Sequence, residues 1–370
     1  MERAKINAGQ LFVLIFLFEM GSALLLSLGI EAKQDAWLAV LTGMCGSLFL
    51  FWMYYRLYLF YPDMLPTSYM QHIFGPFFGK IAAYLYILLF MYNGARVLRD
   101  FGEMLVTSTY TETPLFIINA LLLLIVLYVI HKGIEVIART GEILFVVLYV
   151  LAVTGSILIV VSGLINIDHL KPVLEGGIGR ILKTAGTETL YVPFGEAVVF
   201  FMILPYVNRP DKIKPAMFSA LVLSGINLTI TMAVNIAVLG VDLTERSQFP
   251  LLNTIQAIQV AEFLERLDVF FMIAIIVGGF VKISIYFYAV VIGVSDLFRV
   301  KEISSLIFPL GLVLLFLSMV IASGYAEHIK EGLRFVPLYM HLPLHVILPA
   351  LLLTVAALKK RHSMNKRKQS

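Results

Sequence analysis

Ten apolar runs, each long enough to cross a bilayer at about 20 residues per helix and separated by short polar segments, leave this chain very few folds. They are Leu11 to Ile30, Trp37 to Tyr58, Phe77 to about Val106, Pro114 to Ile130, Ile134 to Ser162, Thr184 to Val207, Ile213 to Gly240, Leu267 to Phe298, Ile303 to Ser323 and Leu342 to Leu358. Apolar residues make up 60% of the chain and charged ones 14%, against about 45–50% and about 25% in soluble domains. No soluble core takes up that much apolar surface. In hydrocarbon every backbone group must be satisfied within the protein, which helices do unaided. The chain therefore reads as an all-α membrane protein of about ten transmembrane helices. Residues 1–358 form one transmembrane domain, with repeat one about 8–162 and repeat two about 184–358, and 359–370 form a basic tail. No polar mature region follows the first run, so that run reads as a retained span and not a removable leader.

The basic residues orient the helices. Of the 28 Lys and Arg, 17 fall on the side of the two termini, eight on the opposite side, and Arg96, Arg99 and Lys282 inside spans. The positive-inside rule then makes both termini cytoplasmic. The +4 net charge is spread over loops and tail, which gives no reason to expect nucleic acid. Two loops, Pro66 to Phe74 and Pro250 to Ala261, carry amphipathic helical spacing and read as surface helices capping the bundle.

Several functions lack their residues. The single cysteine, Cys45, allows no disulfide framework and no cysteine metal site. There is no phosphate-binding Gly-rich loop ending in Gly-Lys-Ser/Thr and no nucleophile elbow, so neither an enzyme nor a cofactor is expected. His341 and His345 are four apart beside Pro343 and read as interfacial residues at the start of span ten, not as a metal site.

Spans one and six are poor continuous helices. Span one carries Glu19, Gly21 and Ser22 near its centre, and span six carries Pro193, Gly195 and Glu196 near its own. Proline removes a backbone donor, glycine weakens a helix by about 1 kcal/mol, and a central carboxylate costs about 2.5–3.5 kcal/mol on insertion. The breaks lie 174 positions and five spans apart, as an inverted repeat of two five-helix units requires. Broken helices at matching places in two halves point to a midplane binding site, where helix N-termini face anions and unwound carbonyls face cations. Close packing would explain either glycine alone. It would not explain the proline and the two glutamates at the same depth.

Glu19-Met20-Gly21-Ser22, Pro193-Phe194-Gly195-Glu196, the ten-span count and the short basic tail together resemble the bacterial spore-germination permeases, the B-type (GerB) subunits of germinant receptors. The resemblance spans essentially the whole chain, and Pro-Phe-Gly-Glu is its one sharp motif. It implies the five-plus-five LeuT-like fold of the amino acid–polyamine–organocation superfamily, with helices 1 and 6 broken. It also implies residence in the inner (cell) membrane of a bacterium or spore, a small nutrient ligand such as an amino acid, and A- and C-type partner subunits in the lipid bilayer.

The ligand site expected from depth and spacing comprises Gly21, Ser22, Tyr92, Asn93, Tyr191, Phe194, Gly195 and Glu196. Tyr191 and Phe194 are an aromatic pair able to close over a small side chain, and Glu196 is placed to receive a ligand ammonium or exchange a proton. Lys282, near the middle of span eight, is expected to pair with Glu19, as a tethered substitute for a coupling sodium ion, as a carrier of the proton itself, or as a lock between two helices. Higher in span three, Arg96 and Asp100, or Arg99 and Glu103, are spaced to pair on one helix face. Glu142 and Glu188 fall near the interfaces and receive no role. The leading expectation is a nutrient sensor whose occupancy is passed to partner subunits. The alternative is a proton- or sodium-coupled amino-acid transporter. A water or ion conduit would need more polar residues than spans one, three, six and eight supply.

Overall fold

The computed structural model describes residues 5–258 and 268–369, with side chains placed up to residue 361. Two of the 28 basic residues counted above, Arg3 and Arg266, lie outside the described residues, as do Ala261 at the end of the second amphipathic loop and Leu267 at the start of span eight.

The helices are α1 (Ala8–Met20), α2 (Ala36–Phe60), α3 (Pro66–Phe74), α4 (Pro76–Ser108), α5 (Leu115–Lys132), α6 (Ile134–Val161), α7 (Gly177–Thr184), α8 (Pro210–Arg246), α9 (Pro250–Gln256), α10 (Asp268–Phe298), α11 (Ser304–Val320), α12 (Tyr325–Lys330) and α13 (Leu348–Gln369). Eight helical stretches among the described residues are long and apolar enough to cross a bilayer. A ninth crossing arises if α11 and the stretch Tyr325–Phe335, bent by 102°, count as one. The remaining expected crossing, Thr184 to Val207, is helical only in short pieces.

Burial separates the helices into an inner and an outer set. In the first span 83% of the crossing window is buried, whereas in α6 only 11% is. Span one packs on α6, α8 and α10, and α4 packs on α10. α5 and α6 turn Leu121, Leu124, Ile143, Val150 and Ile157 outward, an apolar face suited to lipid. The helices that carry the predicted site residues are thus the ones the others enclose.

The Pro66 to Phe74 loop forms α3. Its apolar residues Tyr69, Met70 and Ile73 are buried, and its first turn is held by the Asp296 carboxylate, which accepts from the hydroxyls of Thr67 and Ser68. α9 buries Leu252 on the core and half-buries Leu251 and Ile255.

Span ten starts earlier than its apolar run suggests. The helix runs unbroken from Tyr325 through π-helical stretches at Glu331–Phe335 and Pro337–Ile347 into α13. A π-stretch loosens the ordinary i→i−4 ladder, so Pro343 sits inside it without ending the helix. Five acidic or basic residues within 325–336, Glu327, His328, Lys330, Glu331 and Arg334, had hidden this first part.

At the face where α1 begins, residues leading into span one meet the residues leaving span six. Ile6 donates its N–H to the Tyr206 carbonyl at 2.9 Å, and Asn208 donates to the Ile6 carbonyl at 2.9 Å, a short parallel bridge.

Candidate functional site

Both predicted breaks are present. α1 stops at Met20; Gly21 has φ −22 and ψ −111, and a 3₁₀ turn, Ser22–Leu25, follows before Leu26 becomes extended. Glycine is required here by close approach: a Cβ on Gly278 of α10 would lie 2.9 Å from the Gly21 Cα, and one on Gly21 would lie 2.9 Å from the Lys282 Cδ. In span six, α7 widens into a π-stretch, Ala185–Thr189, then turns at Leu190 to Pro193 and resumes as 3₁₀ helix over Phe194–Met202. The Tyr54 hydroxyl of α2 donates to the His345 carbonyl at 2.7 Å and reaches the Gly195 carbonyl at 3.4 Å, which ties the second break to span ten.

The Lys282 partner differs from expectation. Its ammonium lies 2.5 Å from the Glu196 carboxylate, not on Glu19, and stands 4.9 Å over the Phe18 ring. The 2.5 Å contact is one of charge and not an aligned hydrogen bond. α10 passes beside Gly21, and the extended lysine runs past the break to reach the segment that follows Pro193. Glu19 is fully buried nearby, and neither of its oxygens has a hydrogen-bond partner among the described residues. Tyr286, one turn along α10, stands beside the same carboxylates. The Asn93 amide approaches the Tyr286 hydroxyl at 3.4 Å, and His341 Nε2 approaches the Asn93 Oδ1 at 3.4 Å.

Of these groups Glu196, Asn93 and His341 border a cavity of about 40 Å³, which Ser22, Arg96 and Asp100 also line, with Val192 and Leu333 among its apolar residues. Of the eight expected ligand residues, Ser22, Asn93 and Glu196 line it. Gly21 and Gly195 set the backbone behind it. Phe194 and Tyr191 are buried, and the cavity wall at that place is Val192. Tyr92 is half-buried, and its hydroxyl accepts from Arg96 at 3.3 Å.

Span ten closes one end of the cavity. The Arg96 guanidinium donates to the His328 carbonyl and lies 3.7 Å from Glu331. His328 Nε2 is 2.8 Å from the Asp100 carboxylate, and both residues are buried. Gly332 permits the approach of Arg96, since a Cβ there would fall 2.1 Å from its Nη2. Of the two pairings left open by spacing in span three, Arg99 with Glu103 forms, at 2.7 Å. Asp100 turns to His328 instead of Arg96.

Two further expectations are corrected. His341 and His345 are not interfacial: both are buried, with rings stacked 4.3 Å apart, because span ten begins well before them. Their four-residue spacing did place them on one helix face; their depth was hidden by the polar start of that helix. Glu188 is also buried, and its carboxylate accepts the Gly29 N–H at 2.8 Å. It caps the chain reversal after span one, a long-range contact without a local sequence signal.

Comparison with known proteins agrees with this architecture. Residues 5–326 match a family described as spore germination protein. The chain is 51% identical to spore germination protein KB of Bacillus subtilis (strain 168) over 98% of its own length and 97% of that protein's. It is 25% identical to spore germination protein YndE of the same organism, over 97% and 98%. Among solved structures it resembles Mhp1, a nucleobase-cation-symport-1 family transporter, with TM-score 0.64 and 14% identity over 95% of this chain and 78% of that one. It resembles MhsT, solved in complex with L-phenylalanine, with TM-score 0.65 and 13% identity over 96% and 88%. At these identities the structural likeness establishes the fold, a LeuT-like transporter architecture with broken helices 1 and 6.

Proposed function

We propose that this chain, which belongs to the spore germination protein family, is the nutrient-binding permease-like subunit of a germinant receptor, taking a small polar ligand such as an amino acid between its two interrupted helices. One arrangement carries the reading: Ser22, Asn93 and Glu196, from spans one, three and six, converge on one cavity beside both breaks. The breaks at Gly21 and Gly195 interrupt the regular α-helical ladder, and peptide groups at such interruptions hold a zwitterion by its charged ends. Arg96 lines the same cavity and holds the Tyr92 hydroxyl, and the Lys282–Glu196 pair supplies fixed charge beside it.

Ligand binding would favour one arrangement of the two repeats by its differential affinity, and A- and C-type subunits would read that shift. The chain would sit in the inner membrane with both termini cytoplasmic, as the basic loops direct.

Reconstitution of the chain alone in liposomes tests this with a panel of radiolabelled amino acids. Saturable binding without uptake is expected. Uptake driven by a proton or sodium gradient would make the chain a coupled transporter, and absence of binding across the panel would remove the ligand assignment. Gly195→Trp, whose side chain would start 3.1 Å from the Leu190 carbonyl and 3.2 Å from the His345 ring, is expected to abolish binding.

A further inference from the structure

Three ionisable groups share the buried volume between the breaks: Glu19 at the end of α1, Glu196 after the second break, and Lys282 of α10. If all three were charged, two carboxylates would face one ammonium. Among the described residues no other Lys or Arg forms an ion pair with either carboxylate. Arg96 is engaged by the His328 carbonyl and Glu331, and Asp100 by His328. Tyr54 of α2 lies near Glu19; of the helices packed on α1, α10 contributes Tyr286 and Lys282, and α6 contributes Tyr149 and Glu142, the latter engaged by Gln10 at 3.2 Å. α8 has no ionisable residue between Lys214 and Asp242. An uncompensated charge in such a place is strongly disfavoured and is neutralised when a proton is within reach.

Two further observations locate the proton. Glu19 lies in the last turn of α1, where the helix dipole is negative and the final carbonyls lack intrahelical donors. That setting repels a carboxylate and offers acceptors to a carboxylic acid. Lys282 also forms its ion pair with Glu196, at 2.5 Å, while Glu19 has neither an ion pair nor a hydrogen-bond partner among the described residues. Two ionised carboxylates would draw the ammonium between them.

We propose that Glu19 is a proton-binding site, holding a neutral carboxylic acid in this conformation, and that release of its proton draws Lys282 from Glu196 toward Glu19. A bound proton would then decide whether span eight is fastened to span six alone or to both interrupted spans. A metal cation is the poorer occupant, since hard cations ask for six or so oxygen ligands and Glu19 is bordered by the Phe18 ring and the lysine. The proposal goes beyond ligand recognition and stands whether or not an amino acid binds.

Infrared spectroscopy of the full chain in lipid nanodiscs at neutral pH reads the protonated carboxyl directly. The carbonyl stretch of a water-free carboxylic acid is expected, shifted by exchange into D₂O, and absent in Glu19→Gln. Charge balance makes a sharper demand. Glu196→Gln leaves one carboxylate for one ammonium, so the band should vanish there too, and Lys282→Met should strengthen it to roughly twice its intensity. A parent chain without the band, a band that survives Glu19→Gln, or one unchanged in Glu196→Gln would overturn the proposal. So would loss of the band on adding sodium or potassium chloride at constant pH. Should Lys282→Met fail to fold, the two glutamine variants, which are near-isosteric, still decide.

Discussion

The buried Lys282 ammonium meets the Glu196 carboxylate at 2.5 Å, joining the middle of span eight to the point where span six resumes after its break. Removing one partner strands the other. Lys282→Met is expected to cost about 3–5 kcal/mol, the usual penalty for breaking a buried pair. The double variant Lys282→Met with Glu196→Leu should recover most of that loss while failing to bind ligand. Thermal unfolding in detergent checks the first expectation and radioligand binding the second.

Gly278→Ala should destabilise without touching any charged group. Its Cβ would meet the Gly21 Cα at 2.9 Å, a backbone atom that can yield only if span one shifts. A loss of about 1–3 kcal/mol is expected, as for overpacking elsewhere. Gly155→Ala, with open space around its Cβ, serves as control in the same unfolding assay.

Gly332→Val should act on binding more than on stability. The side chain would occupy the position of the Arg96 Nη2 and push the guanidinium from the His328 carbonyl. A loss of at least about 1.4 kcal/mol in affinity, or tenfold, is expected for the labelled amino acid that the parent binds. Unchanged affinity would mean that Arg96 has no part in the site.

Asn208→Pro removes the N–H that closes the bridge to Ile6. A single backbone hydrogen bond contributes about 1 kcal/mol, so local opening should rise roughly fivefold. In a Cys45→Ser background, Leu11→Cys, buried in the parent, should react correspondingly faster with a membrane-impermeant maleimide.

The crossings were legible because bilayer thickness imposes a length on apolar runs, and the breaks because Gly21, Pro193 and Gly195 act on the backbone wherever a bundle puts them. Contacts set by helix rotation were not legible. Whether Lys282 meets Glu19 or Glu196 depends on how α10 turns against two neighbours, and both carboxylates stood at suitable depth. The burial of His341, His345 and Glu188 depended on where helices and loops begin, and a polar helix start carries no hydropathy signal.

The bridge between Ile6 and Val207 is made by peptide groups and not by side chains. Mutational drift at Ile6, Tyr206 or Asn208 therefore leaves the fastening chemically unaltered so long as proline is avoided. Homologues could keep this seam between the start of span one and the end of span six while sharing no residue there, so an alignment would pass over it and only coordinates would reveal it.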